Sequence, residues 1–348
     1  CRYRKAEFDR AAALWAEYKA KVQDPARKAD SVYRIGWAHF RKNDFDAAIA
    51  AFGEILADYR SSHLYQEALL KTGDSYYNKK DYRKAVEYYT EIVEKYPQHY
   101  RLAEALYGIQ WSYYQLGEED KAIELSRKFL EKYPESSFTP EIQYRVAEHY
   151  FNTGKFETSV AEFRRFLDKY PGHELADNAL YWLGISYFNV KNFGECIATL
   201  RELMDKYPAN PFMDKALFKS ATAYYKLREF GKAAELFAQY AEKYPKSQLT
   251  DDAYFNLAMS YKRLDRVEDA KNMYIKLVTD FKGSELEERG LMNLGYLLQD
   301  VKQYDEAIVY YTRAAELKGK KAAEAGYWIA DCLYSKKQLD KAAAEYMK

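Results

Sequence analysis

Lys95-Tyr96-Pro97 returns as Lys132-Tyr133-Pro134, Lys169-Tyr170-Pro171, Lys206-Tyr207-Pro208 and Lys243-Tyr244-Pro245, each copy 37 residues after the last. One spacing repeated this often is the mark of a tandem array. The tripeptide ends a helix, because Pro cannot continue one and the residue before it is pushed out of the α region. Between stops every unit reads alike. From Ala68 to Pro97 an apolar-periodic segment (Leu69, Thr72, Gly73, Tyr76) is followed by a break at Asn78-Lys79-Lys80-Asp81. A second segment then runs through Tyr82, Ala85, Val86, Tyr89 and Ile92. Spacings of three and four residues predict two amphipathic helices of about 14 residues. So short a break makes them antiparallel, a helical hairpin.

The bulk composition narrows the function. The 348 residues carry 54 Lys+Arg against 53 Asp+Glu, a net charge of +1, which gives no basic field to collect nucleic acid. Hydrophobic residues at 48% suffice for a core and argue against disorder. No apolar run is long enough to span a bilayer, and Cys1-Arg2-Tyr3-Arg4-Lys5 is not followed by the apolar stretch of a signal peptide. Cys1, Cys196 and Cys332 lie far apart with no metal-ligand spacing, and read as small buried or surface thiols.

The units resemble the tetratricopeptide repeat over nearly the whole chain. In that family's register, the small residue of position 8 falls on Gly36, Gly73, Ala147, Gly184, Ala221, Ala258, Gly295 and Ala330, and the ring of position 11 on Tyr76, Tyr113, Tyr150, Tyr187, Tyr224 and Tyr261. The small residue of position 20 falls on Ala48, Ala85, Ala122, Ser159, Cys196, Ala233, Ala270, Ala307 and Ala342. The bulky residue of position 24 falls on Phe52, Tyr89, Phe163, Leu200, Phe237, Tyr274, Tyr311 and Tyr346. Small residues let helix axes approach, and the bulky residue fills the space beside them. The resemblance implies an all-α, right-handed α-solenoid of antiparallel hairpins. Its period is three residues longer than the family's usual one, the excess following the Pro, as in Pro97-Gln98-His99-Tyr100. With the Lys-Tyr-Pro ending, this is most similar to the repeats of bacterial envelope proteins of the YbgF/CpoB and BamD group.

One array is expected over 1–348, with repeats at 29–66, 67–102, 103–139, 140–175, 176–212, 213–249, 250–286 and 287–321 between partial repeats at 1–28 and 322–348. Phe8, Ala11 and Trp15 take positions 17, 20 and 24, which puts Cys1 in the first helix of a cut unit, so the natural chain is expected to continue both ways. A lipoprotein start at Cys1 is the weaker reading. The third unit departs from the pattern: Gln110 replaces the small residue, Glu119 the aromatic seen as Phe45, Tyr82, Phe156, Phe193 and Phe230, and Ser126 the bulky residue. Gly108 also sits within its first helix, at a cost of about 1 kcal/mol relative to Ala. Drift and a soft joint or contact site both fit these changes. After Gly295 the spacing to Ala330 shortens, through Lys318-Gly319-Lys320-Lys321.

Nothing in the chain reads as chemistry. His39, His63, His99, His149 and His173 are scattered, and no His-Glu-x-x-His, Cys-x-x-Cys or phosphate-cradling Gly-rich loop is present. Acidic residues sit beside Lys one turn away, as Glu91 and Lys95 do, on a solvated face. No enzyme activity, cofactor or metal is expected. A second aromatic stripe is more informative. By resemblance, positions 5, 9 and 12 line the concave face. Position 5 carries Tyr33, Tyr107, Tyr144, Tyr181, Phe218, Phe255 and Tyr327. Position 12 carries Phe40, Tyr77, Tyr114, Phe151, Phe188, Tyr225 and Tyr334, and Trp37 and Trp111 stand at position 9. Such rings either pack on neighbouring helices or form a groove for a peptide or helix. The candidate partner-binding residues are Tyr107, Trp111, Tyr114, Tyr144, Phe151, Tyr181, Phe188, Phe218 and Tyr225. No unit pairs Lys at position 5 with Asn at position 9, so the family's carboxylate clamp is not expected. The resulting expectation is a non-enzymatic scaffold for protein partners in a bacterial cell-envelope assembly, periplasmic or envelope-associated, with the cytoplasm as the alternative. A glycan- or peptidoglycan-binding module and the targeting arm of a larger enzyme are the rival readings.

Overall fold

The computed structural model describes residues 2–347, excluding the side chains of residues 2–6 and 119. The readings placed on Cys1 and on the Glu119 side chain lie outside the described residues. All regular structure among the described residues is α-helical. The helices are α1 (Arg2–Lys21), α2 (Pro25–Arg41), α3 (Phe45–Asp58), α4 (Tyr65–Asn78), α5 (Tyr82–Lys95), α6 (Leu102–Leu116), α7 (Glu119–Lys132), α8 (Thr139–Asn152), α9 (Phe156–Lys169) and α10 (Ala176–Asn189). They continue as α11 (Phe193–Lys206), α12 (Met213–Lys226), α13 (Phe230–Lys243), α14 (Thr250–Arg263), α15 (Val267–Asp280), α16 (Glu287–Asp300), α17 (Tyr304–Glu316), α18 (Ala322–Ser335) and α19 (Leu339–Tyr346). The chain divides into two units, Cys1–Gly154 with Asp168–His173, and Lys155–Leu167 with Glu174–Lys348. From α1 to α8 in the first, and from α10 to α19 in the second, each helix packs on the next, the hairpin stacking of an α-solenoid.

Each hairpin turns at one repeat position. Asn43, Lys80, Gly117, Gly154, Lys191, Arg228, Asp265, Lys302 and Lys337 all have left-handed backbone, with φ between 58° and 72°. One such residue ends the first helix, and the next begins the second. Asp44, Asp81 and Asn192 cap that second helix by accepting from the N–H three residues on. Helices α5, α7, α9, α11 and α13 stop at the Lys of Lys-Tyr-Pro, as the residue before Pro requires.

The seam follows the predicted register. A Cβ on Gly36 would lie 2.7 Å from Phe52, on Gly73 2.7 Å from Tyr89, on Gly184 2.5 Å from Leu200 and on Gly295 2.4 Å from Tyr311. Each first helix is thus close enough to the position-24 side chain that only glycine fits at these four places. The position-20 residues from Ala48 to Ala342 are all buried.

The three extra residues per repeat form a capped turn. Ser62, His99, Ser136, Asn210, Ser247 and Ser284, all two residues past the Pro position, accept from the backbone N–H two residues on, at 2.8–3.4 Å. This aims the chain into the next first helix. At the shortened repeat Gly319 replaces that device. Glu288 Oε1 accepts from Lys321 N at 2.7 Å, and a Cβ on Gly319 would lie 2.4 Å from the same carboxylate.

One expectation fails at the start of the chain. The spacing puts a hairpin turn ahead of Phe8, yet α1 runs unbroken from Arg2 to Lys21, and Ala12, not Ala11, is the buried small residue. The sequence there, Arg2-Tyr3-Arg4-Lys5-Ala6-Glu7, has no Gly, Asn, Asp or Pro to favour a break.

The position-24 tyrosines differ in how their hydroxyls are satisfied. Tyr89 donates to Asp74 Oδ1 at 2.9 Å and Tyr311 to Gln299 Oε1 at 3.0 Å. Tyr274 is fully buried with no partner for its hydroxyl among the described residues, and Met259 stands at the repeat position of Asp74. Tyr274→Phe is therefore expected to leave stability unchanged or raise it, while Tyr89→Phe, which breaks a bond to a charged group, loses about 1.5–3 kcal/mol. Urea unfolding of the two variants measures the difference.

Candidate protein-binding surface

The stripe of rings on the first helices is mostly packed. At position 12 four rings meet the position-17 ring across their own hairpin: Phe40 on Phe45 with centroids 5.7 Å apart, Tyr77 on Tyr82 at 5.4 Å, Phe188 on Phe193 at 5.3 Å and Tyr225 on Phe230 at 5.2 Å. At position 5, Tyr181 stacks on Phe212 at 4.4 Å, and Phe218 meets Phe237 and Tyr240 edge-on, both at 5.4 Å. Of the nine candidate residues, Tyr144 and Tyr181 are buried, at 4% and 6% exposed, and so are not offered to a partner. Tyr107, Phe151, Phe188, Phe218 and Tyr225 are half-buried. Trp111 and Tyr114 stand out, 53% and 57% exposed.

The third hairpin exposes them because its residues differ. With Glu119 at position 17, no ring follows for Tyr114 to cover, and Tyr114 instead meets Trp111 edge-on at 5.7 Å. Tyr107, Trp111 and Tyr114 lie four and three residues apart, on one face of α6. At the Tyr107 end the position-8 and position-24 sizes are inverted. Gln110 and Ser126 line a shallow cleft of about 20 Å³, with Tyr107, Leu106, Glu141 and Arg145 around it. The Tyr107 hydroxyl donates to Glu141 Oε1 at 2.5 Å and accepts from Arg145 Nε at 2.5 Å. Arg145 lies over the Tyr107 ring at 4.8 Å and pairs with Glu148 at 2.7 Å. Burial, then the bond to Glu141, push the Tyr107 phenol up to about 12, so it stays a donor at any physiological pH. The result is an exposed aromatic pair on the same helix face as Tyr107, which lines a small cleft.

The sequence reading singled out Gln110 and Ser126, but not Glu141 and Arg145, whose role depends on the hairpin that follows. Gly108 needs neither of the readings given to it: a Cβ there would lie 2.4 Å from the Tyr89 ring, so the glycine makes room for the preceding hairpin's tyrosine. Helix α7 supplies Ala122, Ile123 and Phe129 to the core but no bulky position-24 residue. Hydrogen exchange is accordingly expected to be faster at 103–134 than in the hairpins on either side, since local opening follows buried apolar contact. Equal protection across 68–171 would contradict this.

Cys196 and Cys332 are buried, and burial pushes their thiols up to about 12 and about 11. Among the described residues no three His, Cys, Asp or Glu side chains gather to hold a metal, and no helix is long and apolar enough to cross a membrane.

Hairpins repeated in one register, with small residues set against one bulky residue, define an all-α tandem-repeat protein of the kind that presents surfaces to other proteins. Tetratricopeptide-repeat family models match residues 33–100 and 292–348, and again 178–210, 215–247 and 252–284, together more than half of the chain. The YfiO model, described as an outer membrane lipoprotein, matches residues 102–193, in keeping with BamD-type repeats. The chain belongs to the tetratricopeptide-repeat family. Among solved structures, the C-terminal part of a repeat protein from Cytophaga hutchinsonii is 13% identical with a TM-score of 0.56, covering 74% of this chain and 99% of its own. A tetratricopeptide repeat protein from Parabacteroides merdae is 15% identical with a TM-score of 0.45, over 77% of this chain and 98% of its own. MamA from Desulfovibrio magneticus is 17% identical with a TM-score of 0.44, over 51% and 94%. The first of these supports the fold. No curated protein matches the chain to a significant degree.

Proposed function

We propose that this chain is a non-enzymatic scaffold of a bacterial cell-envelope assembly, which holds a peptide or helical segment of a partner protein on the α6 face. The observation that carries this reading is the exposed Trp111–Tyr114 pair on the Tyr107 face of α6, in an array whose other stripe rings, apart from Trp37, Tyr327 and Tyr334, are at least partly packed away. Tyr and Trp are among the residues most favoured as interface anchors. The envelope assignment draws its support from the match of residues 102–193, which contain this surface, to the outer membrane lipoprotein model. Photo-cross-linking in envelope fractions tests it. A photoreactive residue at Trp111 or Tyr114 should give a discrete protein adduct, and one at exposed Glu94 on α5 should not. Absence of a protein adduct at Trp111, or capture of glycan there instead, would sink the reading.

A further inference from the structure

In the second unit a cleft of about 280 Å³ opens among α11, α12 and α13. Its size suits a small organic ligand, and Ile197, Met204 and Leu236 give it an apolar wall. Its polar groups are unusual in what they lack. Ser220 is 1% exposed, yet its hydroxyl has no hydrogen-bond partner among the described residues. Thr72, at the same repeat position, donates to the Ala68 carbonyl at 2.8 Å. A buried hydroxyl left unsatisfied at the edge of a cleft is a group waiting for one.

The charges are arranged for a ligand that carries both signs. Arg201 Nη2 donates to the Tyr224 hydroxyl at 2.8 Å, which holds the guanidinium in place and leaves the phenol its own proton to give. Arg201 makes no ion pair among the described residues. Lys232 lies 5.2 Å over the Tyr224 ring, but its ammonium is taken by Glu229 at 2.6 Å. Glu235 lines the same cleft and also makes no ion pair among the described residues. An unpaired guanidinium and an unpaired carboxylate therefore share one apolar-walled cleft. Glu235 would repel a dianion such as phosphate.

We propose that this cleft binds a small zwitterion, an apolar amino acid. Its carboxylate is taken by Arg201 and the Tyr224 and Ser220 hydroxyls, its ammonium by Glu235, and its side chain lies on Ile197, Met204 and Leu236. This ligand site is separate from the α6 surface and does not depend on it.

Titration calorimetry on the whole chain tests the proposal with leucine, with 4-methylpentanoate (leucine without its ammonium), with isoamylamine (leucine without its carboxylate) and with inorganic phosphate. Leucine should bind saturably, and each truncated analogue should bind about tenfold more weakly or worse, the effect of losing one charge-assisted contact. Arg201→Gln should lose leucine by a similar factor, and Glu235→Gln should erase the preference for leucine over 4-methylpentanoate. Ser220→Ala should weaken leucine a few-fold without lowering the melting temperature, because it removes an unsatisfied group. The proposal is overturned if leucine does not saturate, if Arg201→Gln binds it as the parent does, or if phosphate or 4-methylpentanoate binds as tightly as leucine. Circular dichroism of each variant confirms that a lost heat comes from the site and not from unfolding.

Discussion

Phe237→Ala is expected to lower stability by about 3–5 kcal/mol, the usual cost of deleting a fully buried ring. Phe237 is completely buried at position 24 of its repeat, and Phe218 meets its edge at 5.4 Å. Its neighbours on the seam, Ala221 and Ala233, are too small to fill the gap. In an array where each hairpin touches only its neighbours, the loss is felt first in α12 to α14. Chemical unfolding followed by helix content gives the magnitude, and hydrogen exchange gives the place. A loss under about 1 kcal/mol would mean that the seam collapses around the hole and that the repeat register does not govern packing. The third hairpin is the natural control. Ser126 already holds this position there, and the space it leaves is the cleft beside Tyr107.

Most of the fold was legible in the sequence because a tandem repeat states its rules many times over. Lys-Tyr-Pro marked the helix ends, and the recurrence of Gly and Ala against one bulky residue marked the seam. The glycines at 36, 73, 184 and 295 do face the position-24 side chains they were paired with. What one unit cannot show alone was missed. The capped turn at Ser62, His99, Ser136, Asn210, Ser247 and Ser284 uses three residue types for one job, so it does not stand out as a motif. Gly108 looked like a flaw in α6, since the ring it accommodates, Tyr89, belongs to the hairpin before.

The candidate site was half legible. Positions 5, 9 and 12 carry an aromatic stripe in the sequence, but periodicity cannot tell a ring that packs from a ring that waits. Tyr144 and Tyr181 carry the same residue type at the same position as Tyr107 and yet are buried. Exposure turns on the neighbours. Phe193 and Phe230 cover Phe188 and Tyr225, whereas Glu119 brings no ring to Tyr114.

That contrast supplies the decisive measurement. Two double variants, Trp111→Ala with Tyr114→Ala and Tyr144→Ala with Tyr181→Ala, should be compared for partner affinity and thermal melting, using the partner recovered by cross-linking. The first pair is exposed, so its loss should leave melting nearly unchanged while weakening binding by about 2 kcal/mol or more, as expected for hot-spot anchors. The second pair is buried, so each truncation should cost about 3–5 kcal/mol of stability and melt the protein early. If the Trp111 and Tyr114 variant keeps full affinity for the partner, the α6 face is not the binding surface, and the central claim made for this protein is wrong.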